Sequence, residues 1–138
     1  MQLVFPETVL VPSIAHSERP VGRYVDRAKP PRIEFSASEC RQLDDHVLRF
    51  AVYHELGHWF RLSCVPKELL PIFPPLGSTE GEECFADNFA MYFMNHTSMI
   101  FEHPEAEEVV AAFLQNHEDE VRDFAEGVLV KLKSELVA

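Results

Sequence analysis

The sequence predicts an α+β fold, because two kinds of hydrophobic pattern divide the chain near residue 36. The N-terminal part carries short apolar or alternating runs that prolines interrupt, which is typical of a small sheet. The remainder carries apolar residues every three or four positions, the period of amphipathic helices. With 138 residues, 46% hydrophobic and 25% charged, the chain has the size and composition of one compact domain. We therefore expect a single domain over residues 1–138, with a short antiparallel or mixed sheet followed by helices.

The predicted strands and the first helix follow from local patterns. Four runs are predicted strands: residues 3–5, 8–11, 21–25 and 32–35. The capping-box pattern of residues 36–39 (Ser-Ala-Ser-Glu) then introduces a helix expected over about residues 38–62. Residues 66–77 contain four of the ten prolines and cannot form a helix interior, so they are predicted to be a stiff apolar loop.

Two further helical segments complete the predicted chain. A second capping-box pattern at residues 79–82 (Thr-Glu-Gly-Glu) opens a helix expected to end near Asn95. Beyond Pro104, which suits a first helical position, apolar residues keep helical spacing to the end of the chain. Either one long helix or two helices broken near Asn116 would fit this spacing.

Acidic residues are concentrated in the second half of the chain. Residues 1–67 contain 9 Lys/Arg and 8 Asp/Glu, a net charge of +1, whereas residues 68–138 contain 3 and 15, a net charge of −12. The total of −11 would repel the phosphates of nucleic acids and the anionic headgroups of membranes. The charge therefore argues against direct nucleic-acid or membrane binding and favours a protein or peptide partner.

The N-terminus and the cysteines predict a cytoplasmic protein. The first residues lack the basic start and the apolar run of a secretion signal, and no apolar stretch approaches the ~20 residues that span a bilayer. Cys40, Cys64 and Cys84 are widely and irregularly spaced, which suits neither a disulfide framework nor a cysteine-based zinc site. We expect reduced thiols, with Cys84 buried as a small apolar residue.

The segment His54-Glu-Leu-Gly-His58 lies in the middle of the first predicted helix. Four residues advance a helix by about 400° and 6 Å, so both imidazoles share one face and can bind one metal ion. Glu55 is about 100° around the axis from His54, outside the ligand set but close enough to hold a water at the metal. Burying two unpaired imidazoles would be unfavourable, so metal binding is preferred over a purely structural role.

A catalytic zinc site needs a third protein ligand and one open position. The second predicted helix supplies Glu83 and Asp87, which are four residues apart on one face. The spacing favours Glu83 as the ligand. In this acidic stretch Glu80, Glu82 and Asp87 remain alternatives.

Together the two helices resemble the gluzincin zinc metallopeptidases, and most of all the ImmA/IrrE family. The resemblance covers about residues 32–94 and rests on the His54–His58 segment followed, in the family's order, by Glu83, Ala86, Asp87, Phe89 and Ala90. It implies a zincin-like fold in which His54, His58 and Glu83 bind zinc and Glu55 is the general base. It also implies that Asp87 orients a ligand histidine, a role that fixes the tautomer of a metal-binding imidazole.

The sequence is compatible with two functions. The resemblance and Glu55 favour a zinc endopeptidase that hydrolyses a specific protein substrate, such as a regulatory protein or repressor. The alternative is a catalytically silent, zinc-stabilised protein-interaction module, which would have no use for Glu55. In an enzyme, an extended substrate is expected to pair with a sheet edge formed by residues 32–35, beside a wall formed by residues 66–77. The sequence assigns no oxyanion donor among Tyr92, His96 and His103.

Overall fold

The computed structural model describes residues 2–14, 21–73, 79–99, 101 and 103–137, without the side chains of residues 79 and 80. This part of the chain is α+β, with a three-stranded mixed sheet and four α-helices. The strands are β1 (Glu7–Val11), β2 (Gly22–Val25) and β3 (Arg32–Ser36). The α-helices are α1 (Ala37–Cys40), α2 (Asp45–Ser63), α3 (Thr79–Asn95) and α4 (Pro104–Leu136), and a short 3-10 helix spans Lys67–Leu69. Residues 74–78 of the predicted loop lie outside the described residues.

The central strand of the sheet is β3, with β1 parallel to it on one side and β2 antiparallel on the other. Ile33 and Phe35 of β3 are fully buried and face the hydrophobic core. The expectation that residues 32–35 form a sheet edge is wrong, because hydrogen bonds to a neighbouring strand occupy both sides of β3. In the described part of the chain, β1 and β2 are the edge strands.

The predicted strand at residues 3–5 is not a strand, because its groups contact helices instead of the sheet. Trp59 Nε1 donates a hydrogen bond to the Val4 carbonyl at 3.1 Å. The Phe5 ring stacks on Trp59 and on Phe124, with centroid distances of 5.0 and 4.3 Å. The next residue, Pro6, has no N–H with which to extend a ladder.

The helix predicted over residues 38–62 is in fact two helices. Ser36 caps α1 by accepting a hydrogen bond from Glu39 N at 3.3 Å, as the capping-box pattern predicts. The chain then leaves the helical path, because Asp44 caps a new helix by accepting a bond from Val47 N at 2.9 Å. Aspartate side chains at such positions compete with helix continuation. The 19-residue α2 therefore begins with its own N-cap at Asp44.

Most of the buried apolar surface surrounds α2. Leu56 and Phe60 are fully buried, Val52 and Trp59 nearly so, and α2 contacts β2, α3 and α4. Buried side chains of β3 and the three longer helices form one hydrophobic cluster. The candidate site residues carried on α2 are consequently held by packing on several sides.

The two C-terminal helices agree with the sequence pattern. α3 spans the predicted residues, and α4 is one uninterrupted helix of 33 residues, about 50 Å long. Asn116 does not break α4, and its side chain donates to the Ala112 carbonyl of the same helix at 2.8 Å. Within the described ranges, no helix combines the length and apolar character needed to cross a membrane.

Candidate metal centre

The first half of the candidate site is carried by α2. His54 and His58 lie one turn apart, with ring centroids separated by 5.0 Å and ring planes at 79°. Both side chains are largely buried. Glu55 is also buried, and its Oε2 lies 4.0 Å from His54 Nε2. The continuous helix therefore places two imidazoles and one carboxylate at the same spot, as the spacing indicates.

The second half of the site is Glu83 of α3, which packs against α2. Glu83 Oε2 lies 2.8 Å from His54 Nε2, and Glu83 Oε1 lies 3.1 Å from His58 Nε2. One atom from each of the three residues lies within 4.8 Å of the other two. Two protein atoms that bind the same tetrahedral metal ion lie roughly 3.3 Å apart. The three side chains would therefore need to move only slightly to bind an ion. His54, His58 and Glu83 could therefore hold a metal ion.

The other carboxylates considered as ligands have different partners. Glu82 Oε1 lies 3.6 Å from Nη2 of Arg61. Asp87 Oδ1 lies 2.7 Å from His54 Nδ1, the ring nitrogen that does not face Glu83. The side chain of Glu80 lies outside the described residues. Among the carboxylates of α3 whose side chains are described, Glu83 is the one within 4 Å of both His54 Nε2 and His58 Nε2.

The two imidazoles differ in their surroundings. Burial, together with the neighbouring His54, lowers the pKa of His58 to about 4, although Glu83 opposes this shift. His58 is therefore neutral at pH 7, and its ring can offer an electron pair. His54 Nδ1 donates to Asp87, which fixes the ring orientation and directs Nε2 towards Glu83.

Gly57 and Ala86, motif residues to which the sequence alone assigns no role, set the distance between α2 and α3. A Cβ atom added at Gly57 would lie 2.9 Å from Ala86 Cα and 3.1 Å from Phe89 Cβ. This close approach brings Glu83, one turn before Ala86, within reach of both histidines. A signal was present in the sequence: glycine inside a helix costs about 1 kcal/mol relative to alanine, and a close contact with a neighbouring helix is one reason to keep it.

Replacing Gly57 with alanine is expected to push α3 away from α2. Overpacking of this kind costs about 1–3 kcal/mol of stability, and it would also move Glu83 away from the histidines. The matched control is Gly127→Ala, because Gly127 of α4 has open space around it and should gain up to about 1 kcal/mol. Thermal denaturation and metal titration of both variants check this prediction. An unchanged Tm and metal affinity for Gly57→Ala would contradict it.

Asp87→Ala is expected to weaken metal binding by about 10- to 100-fold without abolishing it, because Asp87 contacts His54 Nδ1 and would act on the metal only through that ring. Competition with a chromophoric chelator measures this affinity. Asn88→Ala is the matched control, since Asn88 is the next residue of α3 and is exposed. If the two variants have equal affinity, Asp87 does not orient the ligand.

The three residues considered as oxyanion donors lie in surroundings that do not include the candidate metal centre. The Tyr92 hydroxyl donates to Glu118 of α4. His96 is exposed and follows the last residue of α3 with a positive φ of 55°, and His103 is the exposed N-cap residue of α4. The structure therefore gives none of them a contact with the cluster of His54, His58 and Glu83.

The prediction that Cys84 is buried is wrong. Cys84 is exposed, although it directly follows Glu83. The buried face of α3 is formed by other positions: Phe85, Ala86, Phe89, Ala90 and Phe93. Cys84 shares the solvent face with Asn88, one turn later.

No protein-family model, no curated protein and no solved structure matches the chain. The resemblance to the ImmA/IrrE metallopeptidases thus stays a prediction carried by the motif residues.

Proposed function

We propose that the chain is a zinc-dependent endopeptidase with a zincin-like domain that hydrolyses a specific protein substrate. The observation that carries this proposal is the convergence of His54, His58 and Glu83 beside the buried carboxylate of Glu55. Two imidazoles and one glutamate are a donor set of catalytic zinc sites, which keep a fourth position open. Structural zinc sites instead use four protein ligands and have no need of a neighbouring base.

The proposed chemistry divides the work between the metal and Glu55. Zinc held by His54, His58 and Glu83 would supply a Lewis acid that polarises the substrate carbonyl and acidifies water. Glu55 accepts a proton while the water oxygen forms a bond to the carbonyl carbon. It returns that proton to the amide nitrogen as the C–N bond breaks, leaving one new carboxyl group and one new amine. The position of Glu55 Oε2, 4.0 Å from His54 Nε2, supports this role.

An extended substrate would lie along β2, which takes the place of the edge predicted at residues 32–35. Gly22, the first residue of β2, packs against the proposed base, since an added Cβ there would lie 3.3 Å from Glu55 Cγ. Within the described residues, β2 is paired with β3 on one side. A peptide that paired with its other side through main-chain hydrogen bonds would have its backbone close to Glu55.

The proposal is tested by incubating zinc-loaded protein with a whole-proteome extract and sequencing new N-termini by mass spectrometry. We expect a restricted set of cleavage ends that disappear with a chelator and return when zinc is restored. Cleavage ends that persist in chelator would contradict the proposal. If none form, including on proteins encoded beside this one, the silent zinc-stabilised interaction module becomes the better description.

A further inference from the structure

Two arginines flank one glutamate on the face of the sheet that points away from the core. Arg23 of β2 donates its Nε to Glu34 Oε1 at 2.7 Å, and Arg32 of β3 donates its Nε to Glu34 Oε2 at 2.9 Å. The residues on either side of Glu34, Ile33 and Phe35, are buried in the core, so Glu34 and its partners lie on the opposite face. The trio carries a net charge of +1.

The two arginines remain accessible while the glutamate does not. Glu34 is 6% exposed, whereas the side chains of Arg23 and Arg32 are 55% and 43% exposed. Burial opposes ionisation of Glu34, but the hydrogen bonds from both arginines outweigh it and hold the pKa of Glu34 below its usual range. Glu34 is therefore ionised at neutral pH and positions both guanidinium groups at the surface.

The outer face of β2 and β3, together with the turn that joins them, is basic, in contrast to the net negative charge of the chain. The whole chain carries −11, yet residues 21–35 contain four basic and two acidic side chains: Arg23, Arg27, Lys29, Arg32, Asp26 and Glu34. The two basic residues of the turn between β2 and β3 are exposed. Arginine binds carboxylates through two parallel, charge-assisted hydrogen bonds, so this face is complementary to an acidic partner.

We propose that Arg23 and Arg32 select acidic side chains in the peptide that pairs with β2. This inference rests on the proposed function and names its substrate class, an extended segment with Asp or Glu at alternate positions. It is based on the position of the two arginines, which lie on and beside the edge strand β2, and β2 begins next to Glu55.

The alternation follows from strand geometry. A peptide residue opposite Gly22 has its side chain on the same face as the proposed base, and its neighbour opposite Arg23 has its side chain on the outer face. Directly opposed residues have Cβ atoms about 4.5–5.5 Å apart, within reach of an arginine–carboxylate pair. The peptide residue opposite Val25 also faces outward, and Val25 is paired with Arg32. Acidic residues are therefore expected at two positions on one side of the cleaved bond.

Binding can be measured without turnover in the zinc-loaded Glu55→Gln protein. The probes are two fluorescein-labelled 12-residue peptides that are identical except for Glu or Gln at alternate positions. Fluorescence anisotropy should show about tenfold tighter binding of the Glu peptide, and Arg23→Gln should remove most of this difference. Lys133→Gln is the control, because it makes the same change in charge on α4, where Lys133 pairs with Asp45. It should preserve the difference.

Each of three binding results would overturn the inference: equal affinity for both peptides, no binding of either, or the same loss of selectivity in Lys133→Gln as in Arg23→Gln. Arg23→Lys keeps the positive charge but loses the planar guanidinium group that binds carboxylates through two hydrogen bonds. It should give an intermediate preference for the Glu peptide over the Gln peptide. Circular dichroism verifies that each variant is folded. Cleavage of the two peptides by the wild type is measured separately. If the Glu peptide binds more tightly but is not cleaved, the result counts against the proposed endopeptidase alone. If both peptides are cleaved equally, the result counts against the role of the arginine pair alone.

Discussion

Glu55→Gln is expected to fold and bind zinc like the wild type but to lose peptide hydrolysis by about 10²- to 10⁴-fold. The amide has nearly the size of the buried carboxylate, so packing around α2 is preserved. It cannot accept the proton of the attacking water, so the proposed base is lost. Metal analysis and mass spectrometry of cleavage products measure the two properties on the same sample.

The matched control is Glu68→Gln, which makes the same chemical change at an exposed position in the short 3-10 helix. This variant should keep both zinc and hydrolysis. If Glu55→Gln cleaves the same sites at the wild-type rate, Glu55 is not the base.

His54→Ala is expected to cause the largest loss of metal binding and of zinc-dependent stability. His54 contacts both Glu83 and Asp87, so its removal deletes one proposed ligand together with two hydrogen bonds. Zinc at 100 times its Kd would stabilise the wild type by about 2.7 kcal/mol, and the variant should lose this increment. Calorimetry with and without zinc measures the change in Tm.

His46→Ala serves as the control for this experiment, because His46 lies on the same helix but is exposed. Its Tm should rise with zinc as in the wild type. An equal zinc-dependent rise in His54→Ala would show that the metal binds elsewhere.

Local spacing was sufficient to place the groups of the candidate site on common faces. His54 and His58 are one helical turn apart, as are Glu83 and Asp87, and helix geometry fixes that relation whatever the tertiary fold. The meeting of the two faces depends on packing between α2 and α3, in which Gly57 permits the close approach. The structure brings the four residues together, while their roles as zinc ligands and orienting carboxylate stay predictions.

The wrong predictions concern features that depend on competing hydrogen bonds or on packing partners far away in sequence. The Asp44 side chain accepts a hydrogen bond from a backbone N–H group that a continuing helix would use, so the helix breaks before α2. The spacing of apolar residues does not show such a cap. The central position of β3 depends on pairing with strands far away in sequence, and the alternation of Ile33, Glu34 and Phe35 would suit an edge strand equally well.

A crystal structure of the zinc-loaded protein, with anomalous scattering recorded at the zinc edge, tests the central claim most directly. We predict one anomalous peak per chain, about 2.0–2.2 Å from Nε2 of His54, from Nε2 of His58 and from a carboxylate oxygen of Glu83. A peak at any other place, or a zinc-loaded protein in which Glu83 points away from the two histidines, would contradict the claim.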